Sequence, residues 1–339
     1  MYHTYNKTTF ESSTTGVSQQ DILNYISQLI NKSSFNEAID YISKLKLPAI
    51  TFANYFNLAI MEQFIKLLVY QGYHLKAESI IDKAKNRALD LYLVNEEPKL
   101  LNLYVKFCIW DSTVKNALKK DYPSVPIFES LDNYFDRLTD NLVKVRVLLQ
   151  ASHLHDFIGS QEAFLKEAFK LVSNSPKSSS QAFLELQVMN ALGVFYGLIG
   201  EMSLCKDILE ECISKAKELG DKRRIAGSMI NLANLYYLEA NQTPETQLIG
   251  RNLLQEGTKL SEDIECIEYA TIGYLLLAEY FFKRGKSSQS LPYYEKVYDL
   301  QLKRGILANQ EKIDALLKNS EPSNQQEAPS SENTDKISR

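Results

Sequence analysis

One short pattern occurs three times between residues 186 and 300, and it constrains the fold more than any other feature of the chain. In each copy a small residue is followed by an aromatic residue three positions later and by a second small residue four positions after that. Small side chains at fixed places let two helices pack closely, and a glycine after an apolar segment ends a helix. The copies read Ala191-Leu192-Gly193-x-x-Tyr196-x-x-x-Gly200, Asn231-Leu232-Ala233-x-x-Tyr236-x-x-x-Ala240 and Leu276-Leu277-Ala278-x-x-Phe281-x-x-x-Gly285.

The pattern resembles the tetratricopeptide repeat (TPR), a pair of helices, A and B, that stacks on copies of itself. In that family the small residue lets helix A approach helix B, so the resemblance implies tight contacts at Gly193, Ala233 and Ala278. Cys205 and Cys212 fall where helix B carries small residues, which implies that both are buried thiols. The long chain has four cysteines and no secretory signal, so we expect no disulfide framework.

The repeats are longer than the family's usual period of about 34 residues. The steps from Gly193 to Ala233 and from Ala233 to Ala278 are about 40 and 45 residues. The first excess lies in residues 218–224, and the second is an insert at residues 241–245. Beyond the insert, the small-large-small positions of helix B fall on Gly250, Leu254 and Gly257. Repeats of this length are similar to the variant found in kinesin light chains and in sensor domains of large bacterial regulators.

Together, the pattern and the resemblance predict an all-α protein. Its fold is expected to be an α-solenoid of stacked antiparallel helical hairpins, which forms a TPR-like right-handed superhelix. We predict four parts: a disordered segment at 1–17, divergent helical repeats at 18–180, TPR-like repeats at 181–318 and a disordered polar tail at 319–339.

Several helix ends can be predicted in the divergent half. Helical periodicity begins near Asp21, with Ser18 as the candidate N-cap. Trp110 is expected to end the helix that starts at Pro98, and Gly159 is expected to break the chain before the next helix. The segment 119–126 contains two prolines, so it is interpreted as an irregular loop or hinge.

Charge and hydropathy argue against several classes of protein. A net charge of −4 argues against direct nucleic-acid binding through a basic patch. No apolar run approaches about 18 residues, so we expect no membrane span. The N-terminus lacks the hydrophobic stretch of a signal peptide. We therefore expect a cytoplasmic protein, with a nuclear location left open.

No motif in the chain predicts catalysis. His153 and His155 lie two positions apart, so on a helix they would point in different directions and would not share a metal. The segment 285–287 imitates the end of a phosphate-binding loop, but its place in the repeat favours a turn between helices A and B. The basic segment Lys222-Arg223-Arg224 is interpreted as a solvated helix start rather than an anion site. We predict no catalytic residue, no metal, no cofactor and no enzymatic activity.

The expected binding surface is helix A of the clear repeats, which faces the concave side in the family. The candidate partner-binding residues are Asn190, Asn234, Tyr237, Glu279, Phe282 and Lys283. The resemblance implies a non-enzymatic interaction scaffold or adaptor that binds a partner peptide or helix in this groove. Two alternatives stay open: a peptide-sensing regulatory protein of the TPR type, and a scaffold subunit of a large nuclear complex such as a cohesin loader.

Overall fold

The computed structural model describes residues 18–45, 54–118, 132–154, 157–238 and 243–304, and within these ranges it contains helices and turns but no β-strand. The all-α prediction is confirmed. The thirteen main helices are α1 Gln19–Asn31, α2 Phe35–Lys44, α3 Tyr55–Tyr70, α4 His74–Asn95, α5 Pro98–Ala117, α6 Asn141–Leu154, α7 Ile158–Ser173, α8 Ser179–Leu198, α9 Met202–Leu219, α10 Lys222–Leu238, α11 Pro244–Asp263, α12 Ile267–Phe282 and α13 Ser287–Arg304. The predicted terminal segments at 1–17 and 319–339, and the predicted hinge at 119–126, lie outside the described residues.

Neighbouring helices pack in consecutive pairs, and the closest approaches occur where the repeat pattern places small residues. A Cβ built on Gly193 of α8 would lie 2.7 Å from Cγ of Leu209 on α9. A Cβ on Gly257 of α11 would lie 3.0 Å from Cγ1 of Ile230 on α10. Because these positions admit no larger side chain without displacement, the predicted register of the clear repeats is confirmed.

The helix ends follow local chemistry that the sequence carries. Ser18 caps α1 as predicted, since its Oγ accepts a hydrogen bond from the backbone N of Asp21 at 3.1 Å. Gly200 and Gly285 follow helices α8 and α12 with φ of +88° and +70°, a conformation that glycine adopts without steric cost. The interpretation of residues 285–287 as a turn is therefore confirmed.

Two predicted helix ends are wrong. α5 continues past Trp110 to Ala117, because the fully buried Val114 extends its apolar face by another turn. α7 begins at Ile158, so Gly159 lies in its first turn rather than between helices. The first backbone N–H groups of a helix have no partner within it, so a glycine there disrupts little.

The superhelix closes on itself, because the N-terminal hairpin packs against the C-terminal repeats. The core formed by α1, α2 and α3 also contains Ile264 and Cys266, which lie in the turn between α11 and α12. Nδ2 of Asn36 donates to Oε2 of Glu265 at 3.2 Å, and Oγ of Ser33 accepts from the backbone N of Arg223 at 3.1 Å. This closure turns the concave side of the solenoid into an enclosed space.

Candidate functional site

The closed superhelix contains a central cavity of about 500 Å³, whose lining reaches from α3 to α12. This volume lies within the roughly 300–1,000 Å³ typical of ligand pockets. The lining combines apolar, amide and basic side chains, chiefly Trp110, Leu165, Phe195, Gln150, Gln187, Asn190, Arg146, Arg223 and Arg224. A pocket of this composition can bind apolar groups, peptide bonds and anions at the same time.

The cavity reaches solvent at one end and is lined by more buried residues at the other. Leu198, at the C-terminal end of α8, lines the cavity and is 76% exposed. Toward the N-terminal end of the same helix, Ser180 and Leu184 line a second cavity of about 40 Å³. Gln187 and three arginines border both spaces. We call this small cavity the deep end of the site, because Lys66, Arg224 and Leu184 in its lining are buried, whereas Ser180 lies at its exposed rim.

Arg223, at the start of α10, joins the two halves of the closed superhelix. Its guanidinium lies 3.9 Å from the ring centre of Tyr70 on α3 and 4.8 Å from that of Tyr269 on α12. Its Nη2 donates to Oε2 of Glu268 at 2.9 Å. Gly227 leaves room for this stack, because a Cβ there would lie 2.6 Å from Cζ of Tyr269. Stacking of arginine between aromatic rings fixes the guanidinium plane and stabilises its charge.

Three further cations line the deep end beside Arg223, and two of them, Arg224 and Lys66, are buried. Arg224 is 6% exposed, and its backbone N donates to Oδ1 of Asp221 at 2.9 Å. Lys66 of α3 is 5% exposed, and its Nζ donates to Oδ1 of Asn31 at 3.1 Å. The interpretation of Lys222-Arg223-Arg224 as a solvated helix start is wrong for both arginines, because the N-terminal hairpin covers this end of α10.

The amide side chains are partly held by the protein itself. Oδ1 of Asn190 accepts from Oγ of Ser228 at 2.9 Å and from Nδ2 of Asn231 at 3.1 Å. Both bonds use the oxygen, so Nδ2 of Asn190 keeps its hydrogens for a ligand carbonyl. Nε2 of Gln150 donates to Oγ of Ser112 at 2.9 Å. These bonds orient the amides before any ligand arrives.

The cations dominate the electrostatic field at the deep end, as the pKa of Tyr70 indicates. Burial raises this pKa, but the charges of Lys66, Arg223, Arg146 and Arg224 outweigh that effect, so the pKa lies below its ordinary value of 10.0. Burial also lowers the pKa of Lys66 below its ordinary value of 10.5. The shift of Tyr70 reflects the nearby positive charges, and the shift of Lys66 reflects chiefly its removal from water.

The cysteines offer no nucleophile to this site. All four are free and buried, as predicted for Cys205 and Cys212. Burial raises the pKa of Cys108 and of Cys205 to about 11, so neither forms a thiolate near neutral pH. Among the described residues no group of His, Cys, Asp and Glu side chains is arranged to bind a metal ion. No described helix is long and apolar enough to cross a bilayer.

The structure brings one of the six predicted binding residues into the cavity, and that residue is Asn190. Tyr237 instead lies against Tyr280, with ring centres 5.0 Å apart. Nζ of Lys283 lies 4.0 Å from Oε2 of Glu279, and the Lys283 side chain, just after the end of α12, is exposed. Asn234 and Phe282 are half-buried and line neither cavity. These five residues remain a prediction for a second, separate surface.

Sequence patterns alone do not identify the basic residues of the site. Arg223 and Arg224 form a cluster that is typical of a solvated helix start, and no motif marks Lys66 or Arg146. The available signal was Lys66 at a position of α3 flanked by Ile65 and Leu67, since a lysine within an apolar run needs a partner.

No protein-family model matches the chain, and no curated protein matches it. Several solved structures are similar to it in fold. A Rap protein complexed with Competence and Sporulation Factor superposes with a TM-score of 0.62 at 10% identity, over 89% of this chain and 86% of that chain. Aspartyl phosphate phosphatase F from Bacillus subtilis superposes with a TM-score of 0.52 at 12% identity, over 89% and 79%. A STAND protein with a tetratricopeptide repeat sensor from Pyrococcus horikoshii has a TM-score of 0.43 at 16% identity, over 89% and 44%. At these identities the likeness concerns the fold alone.

Proposed function

We propose that this chain, whose fold is that of TPR-like helical-repeat proteins, is a non-enzymatic adaptor that binds a short peptide of a partner protein in its central cavity. The observation that carries the proposal is the cavity of about 500 Å³ with five amide side chains, a tryptophan and three arginines in its lining. Amides can bond to both the N–H and the C=O groups of an extended backbone, and Trp110 offers an apolar surface to one side chain.

The size of the cavity favours a peptide over a partner helix. A helix is about 10 Å wide and rises about 1.5 Å per residue, so roughly one turn would fill the volume. An extended peptide of a few residues would instead reach from the exposed end near Leu198 to the deep end near Gln187. The similar Rap structure contains Competence and Sporulation Factor, which supports ligand binding by this fold without identifying a ligand for this chain.

The three functions that the sequence leaves open, an adaptor, a peptide-sensing regulator and a nuclear scaffold subunit, differ in the surface they would use. A peptide-binding adaptor and a peptide-sensing regulator would use the same cavity, and they differ in what the bound protein does next. A scaffold subunit of a nuclear complex would instead use the outer surface. Variants inside the cavity therefore separate the first two functions from the third.

Trp110 provides a direct test, because it is the single tryptophan of the chain and lines the cavity. Intrinsic fluorescence is measured while pools of synthetic peptides of about six residues are added. We expect a saturable change in the wild-type protein and a weaker one in Gln187→Ala. The matched control is Tyr237→Ala, whose side chain lies outside the cavity.

The two possible failures have different meanings. Saturable binding that survives Gln187→Ala but disappears in Tyr237→Ala would place the ligand in the open groove of the clear repeats. Binding by none of the pools, together with an unchanged stability in their presence, would reject the peptide-binding function.

A further inference from the structure

We propose that the small deep cavity is an oxyanion subsite, in which Lys66, Arg146, Arg223 and Arg224 bind one carboxylate or phosphoryl group of the peptide ligand. This inference rests on the proposed function, because it assigns the chemical class of one end of the ligand. It also makes the deep end of the cavity the feature that selects among peptides.

The dimensions of the small cavity suit one such group. Its volume is about 40 Å³, which on the same measure is room for a few water-sized groups, since one water needs roughly 10–15 Å³. The small cavity shares Gln187 and Arg146 with the lining of the main cavity. A small group at one end of a ligand in the main cavity would fit this space.

Three of the four cations at this end lack a carboxylate partner. Among the described residues no Asp or Glu oxygen lies within 4.0 Å of the side-chain nitrogens of Lys66, Arg146 or Arg224. Nε of Arg224 and Nε of Arg223 are both buried without a hydrogen-bond partner. Buried cations with unused donors are costly to the folded state unless an anion completes their bonding.

The nearby carboxylates do not change this conclusion. Glu268 is bound by Arg223, and Glu62 accepts bonds from Trp110 at 2.9 Å and from Gln63 at 2.6 Å. Asp221 accepts from the backbone at the start of α10. Among the described residues, four cations thus face three carboxylates. Glu268 is paired with Arg223, and Glu62 and Asp221 accept from other groups, so the site has excess positive charge.

The chemistry of arginine explains why a carboxylate or a phosphoryl group would bind rather than a neutral polar group. A guanidinium donates two parallel hydrogen bonds to two oxygens of one anion, and such charge-assisted bonds are about twice as strong as neutral ones. The same four positive charges lower the pKa of Tyr70 despite its burial. Removal from water strengthens the attraction further.

A purely structural role is the competing explanation for these residues, and it applies unequally to them. Arg223 stacks on Tyr70 and Tyr269, so it also holds the closed superhelix together. Arg224 makes no such stack, and its side chain bonds to no described residue. Arg224→Met is therefore the informative variant, and Lys259→Met, at an exposed lysine on the outer face of α11, is its charge-matched control.

The test uses four synthetic peptide pools of equal length on the full chain, with Trp110 fluorescence as the readout. The pools carry a free C-terminal carboxylate, a C-terminal amide, an amide plus one fixed aspartate, or an amide plus one fixed phosphoserine. We expect at least one anionic pool to bind about tenfold more tightly than the amide pool. Which anionic pool gains most identifies the source of the oxyanion.

Arg224→Met should abolish this preference, so that the anionic and amide pools bind it with equal affinity, whereas Lys259→Met should keep the wild-type preference. Equal affinity of the wild type for all four pools would overturn the subsite and leave the peptide-binding function standing.

In a second experiment, inorganic phosphate alone should raise the Tm of the wild type more than that of Arg224→Met. If phosphate has this effect but no peptide binds, the subsite stands and the proposed function fails. If phosphate stabilises both proteins equally, the subsite is rejected.

Discussion

Two arginine–tyrosine stacks of nearly identical geometry serve different purposes in this molecule. The guanidinium of Arg284 lies 3.8 Å from the ring centre of Tyr280. Tyr280 is in the last turn of α12, and Arg284 follows the end of that helix. The guanidinium of Arg223 lies 3.9 Å from the ring centre of Tyr70, which belongs to the other half of the chain. The first contact stabilises one repeat, and the second closes the superhelix around a cavity.

The surroundings of the two stacks explain this difference. Nη1 of Arg284 donates to the carbonyl oxygen of Tyr280 at 3.2 Å, so its bonding is satisfied locally. Arg223 keeps a buried Nε without a partner and lies beside three other cations, Lys66, Arg146 and Arg224. The same pair of residue types is therefore complete in one region and prepared for a ligand in the other.

The largest expected effect concerns the local packing that both regions share. Gly193→Leu should destabilise the protein by about 3 kcal/mol, because overpacking a close helix contact costs about 1–3 kcal/mol and sometimes more. Gly159→Ala is the control, since a Cβ at Gly159 meets nothing within 4 Å. It should be neutral or stabilise by up to about 1 kcal/mol. Chemical denaturation measures both, and equal midpoints for the two variants would contradict the close contact of α8 and α9.

The next effect separates the two stacks. Arg223→Met should lower the free energy of unfolding by about 2 kcal/mol, because it removes the stacks on Tyr70 and Tyr269 together with the ion pair to Glu268. Hydrogen exchange should accelerate in α1 and α2, which the closure holds in place. Arg284→Met should cost about 0.5–1 kcal/mol and leave exchange in α1 and α2 unchanged. Similar exchange in both variants would mean that Arg223 does not control the closure.

A smaller effect tests the cost of the buried cations. Lys66→Met should raise the free energy of unfolding by up to about 1 kcal/mol at pH 7, since an uncompensated charge is replaced by an apolar side chain of similar length. The folded-state pKa of Lys66 is lowered below 10.5. The penalty is therefore complete below the folded pKa and is relieved as the pH rises from that value to 10.5.

The advantage of Lys66→Met should accordingly shrink as the pH rises toward 10.5. Both proteins carry Tyr70→Phe in this comparison, because Tyr70 titrates in the same range and contacts Lys66. The other charged groups around Lys66 are Arg146, Arg223 and Glu62, and both proteins retain them. A constant difference across this pH range would show that Lys66 is neutral or well solvated in the folded protein.

The part of the fold that the sequence predicts is the part built from local contacts. The small residue at Gly193, the cap at Ser18 and the turn at Gly285 each act within one hairpin, so spacing alone identifies them. The closure depends on Arg223, Tyr70 and Ser33, which lie far apart in the chain and share no periodic pattern. A basic doublet at a helix start is usually solvated, and only the position of the N-terminal hairpin makes this one buried. For the same reason the sequence placed the binding surface on helix A of the clear repeats and missed the cavity.

The smallest expected effect decides between these two surfaces. Tyr237 packs against Tyr280 and faces Gly250, where a Cβ would lie 3.3 Å from its Cε1. Tyr237→Ala removes this aromatic pair, which is worth about 0.5–1.5 kcal/mol beyond its buried area, so the Tm should fall. Because Tyr237 lies outside the cavity, the affinity of the remaining folded protein for a peptide should change by less than about twofold, well under the ~2 kcal/mol typical of a binding hot spot. Isothermal titration below the Tm of the variant measures this affinity, and Gln187→Ala provides the matched cavity variant.

A loss of about 2 kcal/mol in binding by folded Tyr237→Ala would instead make Tyr237 the anchor of the ligand. The open groove of the clear repeats would then replace the closed cavity as the binding site.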